Sequence, residues 1–345
     1  MKHLAASALA LAVALTTFDA VAQSNEGDGQ KRGTAAAIAI TPDNFEPTKA
    51  LDDTVPAGKA RTVPAPTAQM FTALARGSDG AESRIAAPAS VADALKEPPR
   101  VAQSIGKAEA PRDPAFGARQ VFGADDRVRI TETEKYPFRA FGFLQIEKQN
   151  GKFSGCSATL IGPRTVLTAA HCLYDHENGW RKRFTFVPGM RVMGEAPYGV
   201  YESETAYILE GYINNYQGYY GSVVPWDLGV VTLREAAGNT AGWLAIGHNP
   251  GLSAFTANII GYPGDKPEGT MWRATCDVAD ADIGILTFAY QCDTFPGSSG
   301  SAVYDYDDAT KSRIIYGVNV AENPIENTAV RLNGPYFEWV RSLIK

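Results

Sequence analysis

From residue 121 onward the chain falls into short apolar runs separated by Gly, Pro, Asn and Asp, and this texture constrains the fold most. Runs at 141–147 and 153–161 flank Gln149-Asn150-Gly151. An Asn-Gly pair between two such runs is a strong hairpin signal, because both residues tolerate the positive φ of a tight turn. Further strands are expected at 164–168, 184–187, 205–208, 228–233, 257–262, 301–304 and 314–320. Many short strands with turn residues between them imply closed barrels or a sandwich. The stretch 121–345 is too long for one six-stranded barrel. The expected class is therefore all-β, with two six-stranded antiparallel Greek-key barrels. One helix closes the chain: Pro335 sits where a first helical residue would, and Phe337, Val340, Leu343 and Ile344 share one helical face.

The upstream part reads differently. Lys2 and His3, an apolar run at 4–17 and Ala20-Val21-Ala22 have the form of a secretory signal over 1–22. The apolar run is too short for a membrane span. Residues 23–120 are rich in Ala, Pro, Ser and charge, and hold only Phe45, Phe71 and Phe116 as aromatics. Such a composition offers little apolar surface against its ordering entropy, so a largely disordered pro-segment is expected, with a short helix near 65–75. A linker or tether is the alternative. Export to the periplasm or the medium follows from the signal.

Four cysteines, Cys156, Cys172, Cys276 and Cys292, in an exported chain are expected to form disulfides. Spacing alone leaves three connectivities open. Zinc is not expected, since no Cys-x-x-Cys pair occurs and the four histidines do not cluster. The net charge is −6, from 32 basic and 38 acidic residues. No basic block stands out, which argues against nucleic acid and anionic membrane as partners. Asp305, Asp307 and Asp308 lack the glycine and distal glutamate of a calcium loop and read as a solvated hairpin tip. The tyrosines from 212 to 220 read as packing, or as a loop surface that touches substrate.

Peptide hydrolysis by serine needs an attacking hydroxyl, an imidazole to take its proton, a carboxylate to orient that imidazole, and N–H groups for the oxyanion. All four have candidates, in the order His, Asp, Ser. Thr168-Ala169-Ala170-His171-Cys172 follows an expected strand, and Cys172 can tie that turn to Cys156, sixteen residues earlier. Asp227 stands before the run 228–233, where it can accept the far N–H of His171. Gly297-Ser298-Ser299-Gly300-Ser301 offers Ser299 as nucleophile, with the N–H groups of Gly297 and Ser299 as oxyanion hole. The α/β-hydrolase alternative needs Gly-x-Ser-x-Gly and the order Ser, Asp, His, and neither is present. A non-enzymatic binding protein on such a fold is the other alternative.

These motifs resemble those of chymotrypsin-like serine peptidases. Gly-x-Ser-Gly-Ser, the stretch Gly261-Tyr262-Pro263-Gly264-Asp265-Lys266-Pro267 and Thr270-Met271-Trp272 are most similar to bacterial glutamyl endopeptidases. The resemblance covers 121–345 and implies the two-barrel fold, a serine endopeptidase acting on protein or peptide substrates as a monomer, and no metal or cofactor. It implies that Thr294, Asn319 and the amine of a mature N-terminus at Val121 bind an acidic side chain before the scissile bond. Maturation would then be a cut after Arg119 or Gln120. Asn319 replaces a histidine of that group, so charge selection should be weaker. Ser298 replaces the aspartate that precedes the serine in chymotrypsin relatives. Asp293 falls, by counting, where trypsin-like enzymes bind Arg or Lys, and Glu322 at the pocket rim would repel an acidic residue; basic or broad specificity is the alternative. A Cys276–Cys292 bridge would differ from trypsin's bridge across the pocket.

Overall fold

A computed structural model describes residues 40, 44–48, 51, 53–57, 59, 63–97 and 121–345. The expected signal and the expected maturation site lie outside the described residues.

Residues 63–97, which composition assigns to a largely disordered segment, are folded. Strands β1 (Ala73–Gly77) and β2 (Glu82–Ile85) form a hairpin, and helix α1 (Ala89–Ala94) follows. Ala68–Phe71 is a single 3-10 turn, so the short helix expected near 65–75 gives way to a turn and then a strand. The reason is tertiary. Phe71 is fully buried and meets the rings of Trp226 and Tyr336 edge-on, and Ala73, Ala75 and Val91 are buried beside it. A few well-placed apolar residues borrow a core they could not build alone.

After β3 (Val128–Arg129), strands β4 (Phe141–Glu147), β5 (Phe153–Leu160) and β6 (Thr165–Thr168) lead to a one-turn helix α2 (Ala170–Leu173). The small ribbon β7 (Tyr174–Asp175) and β8 (Gly179–Trp180) precedes β9 (Arg183–Pro188), β10 (Tyr201–Leu209), helix α3 (Glu210–Asn214) and β11 (Gly229–Leu233). The order β11-β6-β5-β4-β9-β10 closes through a β10–β11 pairing, which makes a six-stranded antiparallel barrel. The β4–β5 hairpin turns at Asn150-Gly151, with Gly151 at φ +80°. Strand β1 adds to the barrel antiparallel to β10, over Ala73↔Leu209 to Gly77↔Thr205.

The second half holds helix α4 (Gly238–Ala241), β12 (Ala245–Ile246), β13 (Phe255–Gly261), β14 (Trp272–Val278), β15 (Thr287–Tyr290), β16 (Ala302–Asp307), β17 (Ser312–Glu322), β18 (Asn327–Arg331) and helix α5 (Gly334–Ser342). Its ladder runs β15-β18-β17-β16-β13-β14-β3. Six principal strands are present as expected, but among the described residues no ladder joins β14 to β15. The Cys276–Cys292 disulfide ties the two ends instead. The fold is chymotrypsin-like: one closed barrel, one half-barrel and a terminal helix. Helix α5 is capped by the side chain of Asn333. It buries Tyr336, Trp339, Val340 and Leu343, a face rotated from the expected one that leaves Phe337 only half-buried. The large aromatics take the core because they remove the most apolar area from water.

Candidate active site

The halves meet at β5. The Ser157 hydroxyl donates to the Gly297 carbonyl at 2.8 Å and accepts the Tyr262 N–H at 2.9 Å, while the Ser157 N–H donates to the Ser299 carbonyl at 2.8 Å. One small polar residue of the first barrel thus fixes the serine loop of the second. Gly297 adopts φ +104°, and a Cβ there would lie 2.5 Å from the Tyr262 carbonyl oxygen. Gly300 is at φ +85°, and its Cβ would lie 2.2 Å from both the Ser157 carbonyl oxygen and the Thr168 hydroxyl. Both positions therefore require glycine.

Along this loop the Ser298 N–H donates to Phe295 and the Gly300 N–H to Asn319, each at 2.8 Å. The N–H groups of Gly297 and Ser299 make no hydrogen bond to any described residue. Alternate amides are thus tied down and the other two are left available, in a loop whose Ser299 is nearly buried.

His171 sits in α2 directly after β6, with Cys172 bridged to Cys156 of β5. Asp227 follows a short turn at Val224–Trp226 and precedes β11, which pairs with β6. Its carboxylate is fully buried and grips His171 twice. One oxygen accepts the backbone N–H at 2.8 Å and the other meets Nδ1 at 2.6 Å. The carboxylate can only accept, so Nδ1 carries the proton and Nε2 keeps its lone pair. Nε2 is buried and has no hydrogen-bond partner among the described residues.

The sequence reading missed one group here. The Tyr220 hydroxyl bonds the same Asp227 oxygen that holds Nδ1, and lies 2.9 Å from the Val320 carbonyl oxygen. Burial, and then the charge of Asp227, push its pKa well above 10, so it stays a donor. The one signal in the sequence is its place in the tyrosine-rich loop seven residues before Asp227.

The expected specificity residues are dispersed in their partners. The Thr294 hydroxyl donates to the Glu322 carboxyl at 3.3 Å. Asn319 accepts the Tyr290 hydroxyl and donates to the Ser298 carbonyl at 3.3 Å. Asp293 does not offer itself as the base of a cation pocket. It is buried and accepts the N–H groups of Phe122 at 2.7 Å and Asp126 at 3.1 Å, so it anchors the segment that begins at Val121. Arg127, buried between Asp125 and Asp265, fastens the same segment to the loop after β13.

Residues 156–310 match the trypsin-like peptidase domain family. The chain carries a trypsin-like peptidase domain. The chain is 34% identical over 203 residues to an extracellular metalloprotease of Bacillus subtilis, covering 58% of this chain and 62% of the relative. It is also 34% identical over 210 residues to a glutamyl endopeptidase of Bacillus licheniformis, covering 60% and 62%. The chain thus spans about three-fifths of the length of these two relatives. A solved Glu endopeptidase structure in complex with MPD superposes with a TM-score of 0.56 at 28% identity, over 64% of this chain and 98% of that one.

The name of the Bacillus subtilis relative raises the question of a metal. Among the described residues, the group of metal-capable side chains within mutual reach is Cys156, His171 and Cys172. Both sulfurs are bonded to each other, and the imidazole is held by Asp227, so this donor set does not fit a metal. The acidic residues of the β16–β17 turn are engaged locally: Asp307 accepts two backbone N–H groups and Asp308 pairs with Lys311. No helix among the described residues is long and apolar enough to cross a membrane.

Proposed function

We propose that this peptidase domain is an exported serine endopeptidase in which Ser299 attacks the peptide carbonyl and His171, held by Asp227, takes the proton. The observation that carries this reading is the buried His171–Asp227 pair, with Nδ1 bound and Nε2 unpartnered. In the mechanism, Ser299 Oγ forms the acyl bond while its proton passes to His171 Nε2, and the imidazolium returns that proton to the leaving amine. The developing oxyanion is met by the N–H groups of Gly297 and Ser299. Water then repeats the sequence and releases the acid. Asp227 stays ionised and holds the tautomer.

For the residue before the scissile bond we infer a preference for Glu or Asp. The likeness to a glutamyl endopeptidase supports it, and so does the engagement of Asp293 with backbone N–H groups. Glu322 does not oppose it below its pKa, because burial raises that pKa from 4.5 to about 8 and the carboxyl is mostly neutral at pH 7. Thr294, Asn319 and a mature amine at Val121 are the groups assigned to that side chain.

Ser299→Ala is expected to lower turnover about 10⁴-fold or more, and to abolish labelling by a fluorophosphonate. Undiminished turnover in the variant would overturn the assignment. Two peptides that differ only in Glu or Arg before the scissile bond test the preference; faster cleavage of the Arg peptide would refute it and leave the catalytic group standing.

A further inference from the structure

The described residues between 44 and 59 lie upstream of the peptidase domain, yet they cross from one barrel to the other. Asn44 and Glu46 pair with both backbone groups of Phe153 at the start of β5, at 2.9 and 2.7 Å. The Glu46 carboxylate meets Lys148 at 2.7 Å and Lys152 at 2.9 Å. The Thr48 hydroxyl donates to the Gly155 carbonyl of β5. Three residues later the chain has reached the second barrel, where the Leu51 carbonyl accepts the N–H of Glu322 at the end of β17, at 3.1 Å. Beyond it, the Lys59 amine donates to the Gln217 carbonyl at 3.2 Å and lies 4.7 Å from the centre of the Tyr219 ring.

The anchor of this crossing is Asp53. Its side chain accepts Asn323 Nδ2 at 2.8 Å and the Thr328 hydroxyl at 2.9 Å, and the residue is 2% exposed. Two neutral donors, one directly after β17 and one on β18, thus receive a buried carboxylate, and a buried carboxylate is tolerated only when its oxygens are hydrogen-bonded. The opposite wall makes room: a Cβ at Gly221 would lie 2.6 Å from the Asp53 carbonyl oxygen. Pro47, Thr48 and Leu51 share with His171 and Tyr220 the wall of a cavity of about 450 Å³. Described residues that bond the backbone of β5 on one side of a cleft and the end of β17 on the other use the backbone groups a peptide ligand would use.

We propose that Asn323 and Thr328 form a carboxylate subsite beside the cleft, filled here by the chain's own Asp53, and that the described residues between 44 and 59 thereby hold the peptidase closed to substrate. The ligand class is an acidic side chain in an extended peptide. The proposal rests on the reading of Ser299, His171 and Asp227 as the catalytic group, and two separate readouts divide the two.

Docking is read without catalysis. In the full chain carrying Ser299→Ala, adding Asp53→Ala should raise amide exchange at Glu322 at least tenfold, and Gly221→Ala, which crowds the segment without touching the carboxylate, should do the same. Unchanged exchange at Glu322 in both, with melting temperatures preserved, would overturn the subsite. Closure is read with Ser299 present. The full chain with Asp53→Ala should be labelled by a fluorophosphonate at least tenfold faster than the unaltered chain. A synthetic peptide of residues 44–59 should slow that labelling, and the same peptide with Asp53→Ala should not. Equal labelling of both chains would overturn the closed state and keep the catalytic reading. No labelling of either, with exchange at Glu322 raised, would sink the catalytic reading and with it the closure, and leave the docking.

Discussion

Tyr220, Asp227 and His171 act on one another through single atoms, and each can be altered alone. Tyr220→Phe removes one donor from the carboxylate that steers the imidazole. A hydrogen bond to a charged group contributes roughly 1.5–3 kcal/mol net, so kcat/KM is expected to fall about 10- to 100-fold with KM little changed. With one donor fewer, the carboxylate holds the imidazolium more strongly, and the acid limb of the pH–rate profile should move to higher pH. A pH profile in which only the amplitude changes would deny Tyr220 this positioning role. Glu322 gives a second test at this scale. Its pKa is raised by burial from 4.5 to about 8, so the folded state binds the proton more tightly than the unfolded one. Its contribution to stability is complete below about pH 4.5 and is lost as pH rises through 8. Denaturant melts of Glu322→Gln between those values should lose that part of the slope; an unchanged slope would place the pKa near the unfolded value. The candidates His171 and Ser299 were legible as residues because each lies in a contiguous motif whose neighbours are small or glycine, and Asp227 because it stands before an apolar run, between them in the chain order. Asp293, Tyr220, Asn323 and Thr328 were not, because their roles are set by partners 7 to 275 positions away along the chain.

At the scale of elements, legibility followed burial. Strands β4, β5, β6 and β11 are buried along their length, and each reads as a short run of mostly apolar and small residues between turns. Strand β14 alternates exposed and buried residues and carries Arg273, Thr275 and Asp277, so it does not read as a strand until β13 pairs with it from Phe255↔Val278 to Gly261↔Trp272. Strands β15 and β18 are short and were likewise missed. The open seam between β14 and β15 makes the Cys276–Cys292 bond mechanically important. It closes a loop of sequence separation 16, for which chain entropy gives about 3 kcal/mol. Replacing both cysteines by serine should lower the melting temperature by several degrees and raise amide exchange in β14 and β15 ahead of the first barrel. Loss confined to the first barrel would contradict the assignment of this bond as the closure of the second.

For the whole molecule, the division of labour is between a closed barrel that supplies His171 and Asp227 and a half-barrel that supplies Ser299, joined through Ser157. The fold class was accessible from the rhythm of strands and turns. The folding of residues 63–97 was not, because Phe71, Ala73, Ala75 and Val91 amount to a core only when Trp226, Tyr336 and β10 are already there. That dependence bears on maturation. Strand β1 is a full member of the first sheet, and Phe71 packs edge-on against Tyr336 of helix α5. A cut ahead of Val121 breaks one peptide bond and none of these contacts. Residues 63–97 would then stay as a tightly held light subunit rather than leave as a discarded leader: two bands on a denaturing gel, one peak of 1:1 stoichiometry on a sizing column, and separation only when the heavy subunit itself begins to unfold.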